Sequence, residues 1–482
     1  VNSVTGSSLT TAAEPPVVGP RARRLLVVLS VLVVLLFVGL AAGLLATHSR
    51  LEALSFPEAS LALVVGRTMD IRFVVERQPW WERWLSELLM DDDPSVELAQ
   101  AIDWYEELVT HGRDAAVELQ LAILEGEAGR RARLREKLDA WEVRPDPFPA
   151  MASMVSAAYL PGAADVPDDA VEELPGDSYP WFGEQLAWRL ALRRGDRGTA
   201  AEILDERVAR TAGLSRRVRA LTVVEIVVVV ATVVALGLLL VRRLRLANAP
   251  IPPPWSGGAG ALVLVHGAAL QVVLLAGLYV ISELADSPVL NALTWPWSNV
   301  LFVPMLLLAR QHLIRPAGLR FIDALGLSLE PGTGGRVVLV TLALVGVGLT
   351  GDWVGSAVAS RFGLTSHWTE WFDEDMVWGE GGDAAVGILS AVVAAPFFEE
   401  IVFRGLLFAT LRRRYGVLAS ALASALIFGV VHGYGWIGLA SVVWSGVLWA
   451  WSYERTRSLV PAMLAHAAVN LLASVSLLLL LR

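Results

Sequence analysis

The chain of 482 residues contains no cysteine. Disulfides, thiolate metal sites and cysteine nucleophiles are therefore excluded. Lysine is almost absent too: of 39 basic residues only Lys137 is a lysine. Against 48 acidic residues this leaves a net charge of −9, so there is no basic footprint for a nucleic acid. No glycine-rich phosphate-binding loop occurs, and no His-Glu-x-x-His pair. What the chain has instead is apolar sequence. It is 55% hydrophobic, with a mean hydropathy of +0.55. Several runs approach the roughly 18–20 residues that cross a bilayer. The fold class this implies is all-α: a polytopic membrane helical bundle of about nine spans, with an N-terminal single anchor and a soluble, mainly helical domain.

Residues 1–24 read as a polar, proline-containing disordered tail. Residues 25–46 form an apolar run behind Arg21, Arg23 and Arg24. The run is longer than the roughly 7–15 apolar residues of a signal peptide, so it is expected to be a retained transmembrane anchor. Residues 47–220 form a hydrophilic stretch with helix-like patterns at Val96 to Val109 and Ala115 to Trp141. Its tryptophans (Trp80, Trp81, Trp84, Trp104, Trp141, Trp181 and Trp188) are expected in a small helical core. Residues 221–246 read as a second span, and 247–258 as a Pro/Gly linker. Residues 259–482 form the multi-span domain, with its motifs within 384–481.

Arginine placement gives the orientation. Clusters at Arg21–Arg24, Arg242–Arg245, Arg310–Arg320, Arg412–Arg414 and Arg455–Arg457 all fall on one side when the spans alternate. By the positive-inside rule that side is the cytoplasm. Residues 47–220 and the loop Gly355 to Asp383 then lie on the outer face of an integral membrane protein, expected in a bacterial plasma membrane.

Three late spans carry polar residues where each alone is costly in lipid. Glu399 lies about twelve residues from the end near Leu411, roughly 18 Å deep. His432 lies roughly 22 Å from Val417, and His466 and Asn470 roughly 10 and 16 Å from Leu459. Glu400 and Arg404 are four apart and share a helix face, as do Phe428 and His432, and His466 and Asn470. Pairing of Glu400 with Arg404 turns Glu399 about 100° away and leaves it free for chemistry. Taken singly, a Glu–Arg pair is a common structural feature, and an intramembrane histidine is often a packing residue. The conjunction of all three motifs in order points to one site around a wet cavity.

This ordered set resembles the CAAX-protease and bacteriocin-processing superfamily of intramembrane proteases. The matching positions are Glu399, Glu400 and Arg404, then Phe428 and His432, then His466 and Asn470. The resemblance covers roughly Val337 to Leu481. It implies a glutamate-dependent endopeptidase acting on a peptide bond of a membrane-associated or C-terminally lipidated protein or peptide. Glu399, His432, His466 and Asn470 would be catalytic, and Glu400, Arg404 and Phe428 supporting. Peptide hydrolysis needs an activated water, oxyanion stabilisation and a proton for the leaving amine. Glu399 suits the base, His432 the water, and His466 and Asn470 the oxyanion. The cleft is expected to face the cytoplasm. The implied partners are the substrate and the lipid bilayer, with no cofactor.

The alternative is a zinc-dependent membrane protease with Glu399, His432 and His466 as ligands. A rhomboid-like serine site is not supported, because Val443-Trp444-Ser445-Gly446 lacks the first glycine of Gly-x-Ser-Gly. An aspartyl site fails likewise at Leu349-Thr350-Gly351-Asp352. A non-catalytic scaffold or receptor whose outside domain binds a partner is a reading of another class. So is a transporter, although paired broken spans in two matching halves are not seen.

Overall fold

The computed structural model describes residues 20–47, 49–84, 94–112, 114–162, 179–239, 244–285 and 298–482. The tail through residue 19 lies outside them, as do Arg242 and Arg243. The protein is all-helical, with no strand among the described residues. Six helices are long and apolar enough to cross a membrane, and two shorter apolar helices, Ser298–Ile314 and Val417–Val430, accompany them.

Helix α1 (Pro20–Thr47) is the N-terminal anchor. Its leucines and valines face outward, as a lipid-embedded surface requires. Residues 20–24, placed in the tail by composition, are its first turns. Six helices then build the soluble domain: α2 (Pro57–Glu76), α3 (Pro94–His111), α4 (Ala115–Glu127), α5 (Arg131–Trp141), α6 (Phe148–Tyr159) and α7 (Pro180–Arg194). The pattern from Ala115 to Trp141 splits into α4 and α5 at Gly129, whose φ of 67° is left-handed. Leu61, Ile102, Tyr105, Leu124, Trp141 and Phe182 are fully buried at the centre. Buried Asp70 is held by Arg210 and by the Tyr179 hydroxyl at 2.7 Å.

Not all the tryptophans join that core. Trp141 and Trp181 do, but Trp80, Trp81 and Trp84 are 73%, 51% and 59% exposed. The expectation of core tryptophans is corrected for these three.

Helix α8 (Arg197–Leu239) is one uninterrupted helix of 43 residues. It begins in the soluble domain and ends in the membrane, so the expected junction at 220/221 falls inside a rigid rod. The bundle continues with α9 (Gly257–Ala285), α10 (Val303–Ala309), α11 (Gly334–Ser360), α12 (Gly381–Leu411), α13 (Val417–Val430), α14 (Trp436–Thr456) and α15 (Val460–Leu481). Helix α1 packs on α9, where Ser30 Oγ meets His266 Nδ1 at 2.8 Å. Helix α11 packs against α8, α14 and α15, and α13 against α14.

The segment before α9, read as a linker, is a strap across one end of the bundle. Leu246, Ala249, Ile251 and Trp255 are buried. Leu246 N donates to Thr456 O at 2.9 Å, and Trp255 Nε1 to Thr410 Oγ1 at 3.3 Å. Ser458 Oγ reaches Gly326 O at 2.6 Å, and Arg412 pairs with Glu454 at 3.0 Å. The arginine-bearing connections therefore meet at this end. The soluble domain occupies the opposite end, together with residues 361–380. Trp368, Phe372, Met376 and Val377 of that loop, and Leu477 and Leu481 of α15, belong to the soluble domain's own hydrophobic core.

Candidate active site

Helix α12 carries Glu399, Glu400 and Arg404. Helix α13 carries Phe428, and His432 stands in the turn just past its end. Helix α15 carries His466 and Asn470. Helix α12 is not a uniform α-helix. Its hydrogen bonds widen to i→i+5 over Ser390–Ala394 and again over Glu400–Phe408. Wide turns of this kind are frequent at functional sites.

The sequence explains the first of them. Ala395 N bonds Ser390 O across the wide turn. The next carbonyl in that pattern, Ala391 O, faces Pro396, which has no N–H. Asn470 supplies the missing donor, its Nδ2 lying 2.7 Å from Ala391 O. The second wide turn has a similar outside partner, since Ser424 Oγ donates to Phe403 O at 2.7 Å.

Glu400 and Arg404 are both fully buried and pair at 2.9 Å. His466 Nδ1 lies 3.1 Å from the same Glu400 oxygen. A carboxylate only accepts, so Nδ1 carries the hydrogen. The other ring nitrogen, Nε2, is 3.8 Å from Glu399 Oε2. His466 thus stands between the two glutamates. The Arg404 guanidinium lies 4.3 Å from the Phe428 ring centroid and 4.9 Å from that of Trp449. These rings face a buried cation whose Nε and Nη2 have no hydrogen-bond partner among the described residues.

His432 Nδ1 is 2.6 Å from Phe428 O. A carbonyl accepts only, so Nδ1–H donates and a neutral His432 presents Nε2 as a bare lone pair. The Phe428 ring connects the two imidazoles, with centroids 4.7 Å from His432 and 6.1 Å from His466.

The structure therefore brings Glu399, Glu400, Arg404, Phe428 and His466 into direct contact. His432 joins them edge-on to Phe428 rather than through an ion pair. Asn470 is not a free amide, because one of its hydrogens is spent on Ala391 O. Among the described residues no group of three or more His, Asp or Glu is arranged to hold a metal ion.

Sequence reasoning missed Trp449 on α14. Its ring stacks on His466 at 4.2 Å and 20°. It also missed Gly446, where a Cβ would stand 2.8 Å from Arg404 Nη2. Gly446 and Trp449 are three apart on one helix face, but α14 offers no ionisable residue at this depth to draw attention to it.

Buried acid, base and amide groups converging within a helical membrane bundle define a polytopic membrane protein with a polar site in its core. Residues 381–472 match the family model described as "Type II CAAX prenyl endopeptidase Rce1-like". This stretch is thus similar to the CAAX-protease family, and all seven motif positions fall within the match. Helices α1 to α11 lie outside it. No curated protein and no solved structure matches the chain.

Proposed function

We propose that the protein is a glutamate-dependent intramembrane endopeptidase. The observation that carries this reading is His466 bridging Glu400 and Glu399 while Arg404 neutralises Glu400. Glu399 is then the carboxylate left for chemistry. It takes a proton from a water held against His432 Nε2. The water oxygen attacks the substrate carbonyl carbon, and negative charge develops on the carbonyl oxygen. His466 Nε2–H, in its protonated form, and the second amide hydrogen of Asn470 are the donors for that charge. As the C–N bond breaks, the proton on Glu399 passes to the leaving amine.

The substrate is a peptide bond in a membrane-associated or C-terminally lipidated protein. The arginine-bearing end faces the cytoplasm by the positive-inside rule. The soluble domain then stands outside, and His432, past the end of α13 remote from Arg412–Arg414, lies toward that outer side rather than toward the cytoplasm. A His432 that donates Nδ1–H to a backbone carbonyl also has the tautomer of a metal-bound imidazole, so the zinc reading is kept as the competitor.

Cleavage of fluorogenic peptides, with and without a farnesylated cysteine, by purified protein in proteoliposomes tests both. Glu399→Gln and His432→Ala are expected to lose cleavage by two orders of magnitude or more, on the order of what positioned acid–base groups supply. Cleavage equal to wild type in both variants would sink the assignment. Loss of wild-type activity on exhaustive chelation, restored by zinc, would replace it with the metal mechanism.

A further inference from the structure

The turn that carries His432 is held from outside the membrane domain. Arg50 Nη1 pairs with Glu370 Oε1 at 2.6 Å, and Arg50 Nη2 donates to Gly433 O at 3.1 Å. The same Glu370 oxygen accepts Gly435 N at 3.0 Å. The two residues thus grip the backbone on both sides of Tyr434, whose ring lies 5.5 Å from that of His432. Glu370 is only 7% exposed, and it sits at the N-terminus of α14, where a negative charge is favoured. A Cβ at Gly435 or Gly438 would lie 2.7 Å from a Glu370 oxygen, so glycine is required for the carboxylate to approach this closely.

Both gripping residues are fixed to the soluble domain. Ser49 Oγ donates to Glu107 on α3 at 2.9 Å, and Leu51 is in the domain core. Trp368 and Phe372, flanking Glu370, are in that core too. His367 contacts Glu107 at 3.1 Å. The ensemble borders a cavity of about 370 Å³ lined by Arg50, Glu107, His367, Glu370 and Trp436.

We propose that Arg50 and Glu370 are positioning residues: a clip through which the N-terminal domain sets the place of His432. Its consequence for catalysis rests on the reading of the site given above; the clip itself does not. Hydrogen exchange of the full chain in nanodiscs, read by mass spectrometry on peptides spanning 431–435, tests the clip without any substrate. Glu370→Ala is expected to speed exchange there about tenfold or more, as loss of a charge-assisted bond implies. Glu370→Gln, which keeps an acceptor for Gly435 N, is expected to restore most of the protection. Exchange unchanged in Glu370→Ala would overturn the clip. With the fluorogenic peptides, Glu370→Ala is expected to lower kcat with KM held, and Glu370→Gln to recover it. Altered exchange with unaltered kcat would overturn the positioning role. A wild type that cleaves no peptide would count against the protease reading alone, because the exchange result stands without it.

A second surface is carried by a different observation. Trp80, Trp81 and Trp84 are exposed side by side, and Glu82 between them pairs with Arg219 at 3.0 Å. Arg219 is one helical turn before Val223, the first strongly outward-facing valine of the membrane half of α8. The tryptophans therefore stand level with the bilayer boundary, where indole rings are favoured. We infer that this segment lies in the lipid headgroup layer and seats the soluble domain on the membrane. The absence of native cysteine makes the test clean. Nitroxide labels at Trp81→Cys or at Val143→Cys, the latter site 88% exposed, are compared in phosphatidylcholine–phosphatidylglycerol vesicles. The label at 81 is expected to collide more with oxygen and less with a water-soluble nickel chelate. Identical profiles at the two sites would overturn the inference.

Discussion

Asn470 bonds Ala391 O and is proposed also to donate to the oxyanion, two duties that one substitution would confuse, and Pro396 offers a way to separate them. In Asn470→Ala, Ala391 O loses the side-chain donor at 2.7 Å, and Pro396 has no hydrogen to offer. The expected cost is about 1–2 kcal/mol, between the average for interhelical bonds in membranes and that for a stranded carbonyl. Pro396→Ala puts an N–H at the position that the i→i+5 pattern aims at Ala391 O. Alone it changes little there, because Asn470 already occupies the carbonyl. In the double variant the new N–H takes over the carbonyl, and most of the cost of losing Asn470 disappears. Any general gain from removing a proline cancels in the double-mutant cycle. The assay is reversible unfolding in mixed detergent micelles. A cost for Asn470→Ala that is the same with and without Pro396 would refute the reasoning. Activity then reads the other duty. If Asn470 also donates to the oxyanion, the double variant stays about 10²–10³-fold impaired in kcat although its stability has returned.

Gly446→Ala is expected to destabilise the protein by about 1–3 kcal/mol. The new Cβ would meet Arg404 Nη2 and Ala425 Cβ at 2.8 Å, and the melting temperature of detergent-solubilised protein reads the effect. Trp449→Ala is expected to cost about 3–5 kcal/mol as a buried aromatic truncation. It should also lower kcat by freeing the His466 ring; Trp449→Phe, which keeps a stacking face, should recover most of kcat, and equal kcat in all three proteins would deny Trp449 any part in holding His466. In the soluble domain, burial pushes the Glu127 carboxyl up, but Arg189, Gln185 and Tyr159 outweigh it and hold it below the ordinary value of 4.5. A carboxyl depressed by folding contributes stability that is present above its unfolded pKa and is lost as pH falls through the folded one. Wild type should therefore melt above Glu127→Gln at pH 7, and the gap should close as pH drops below about 4.5; a gap that stays constant would refute the assignment.

The polar motifs were legible because charge in lipid is rare and helical spacing is rigid. Glu400 and Arg404, four apart, had one face to share, and the structure pairs them at 2.9 Å. The reading of a helical membrane bundle rested on the same physics, and the six long apolar helices and two shorter ones fall where apolar runs stood. Legibility ends where a residue's role depends on what another helix brings to it. Trp449 reads as one more membrane aromatic until His466 is found beneath it. Asn470 reads as a free donor until Pro396 is seen to leave a carbonyl without a hydrogen. Glu370 reads as surface charge in an acidic loop until the soluble domain folds over it and hands it Arg50. The strap shows the reverse: its prolines and glycines read as a linker, yet Ala249, Ile251 and Trp255 within it are buried at the bundle's arginine-bearing end. Composition describes what a segment prefers alone. Its function here is set by the end of the bundle at which it is held, and α8, crossing from one domain into the other as a single rod, fixes that geometry for both.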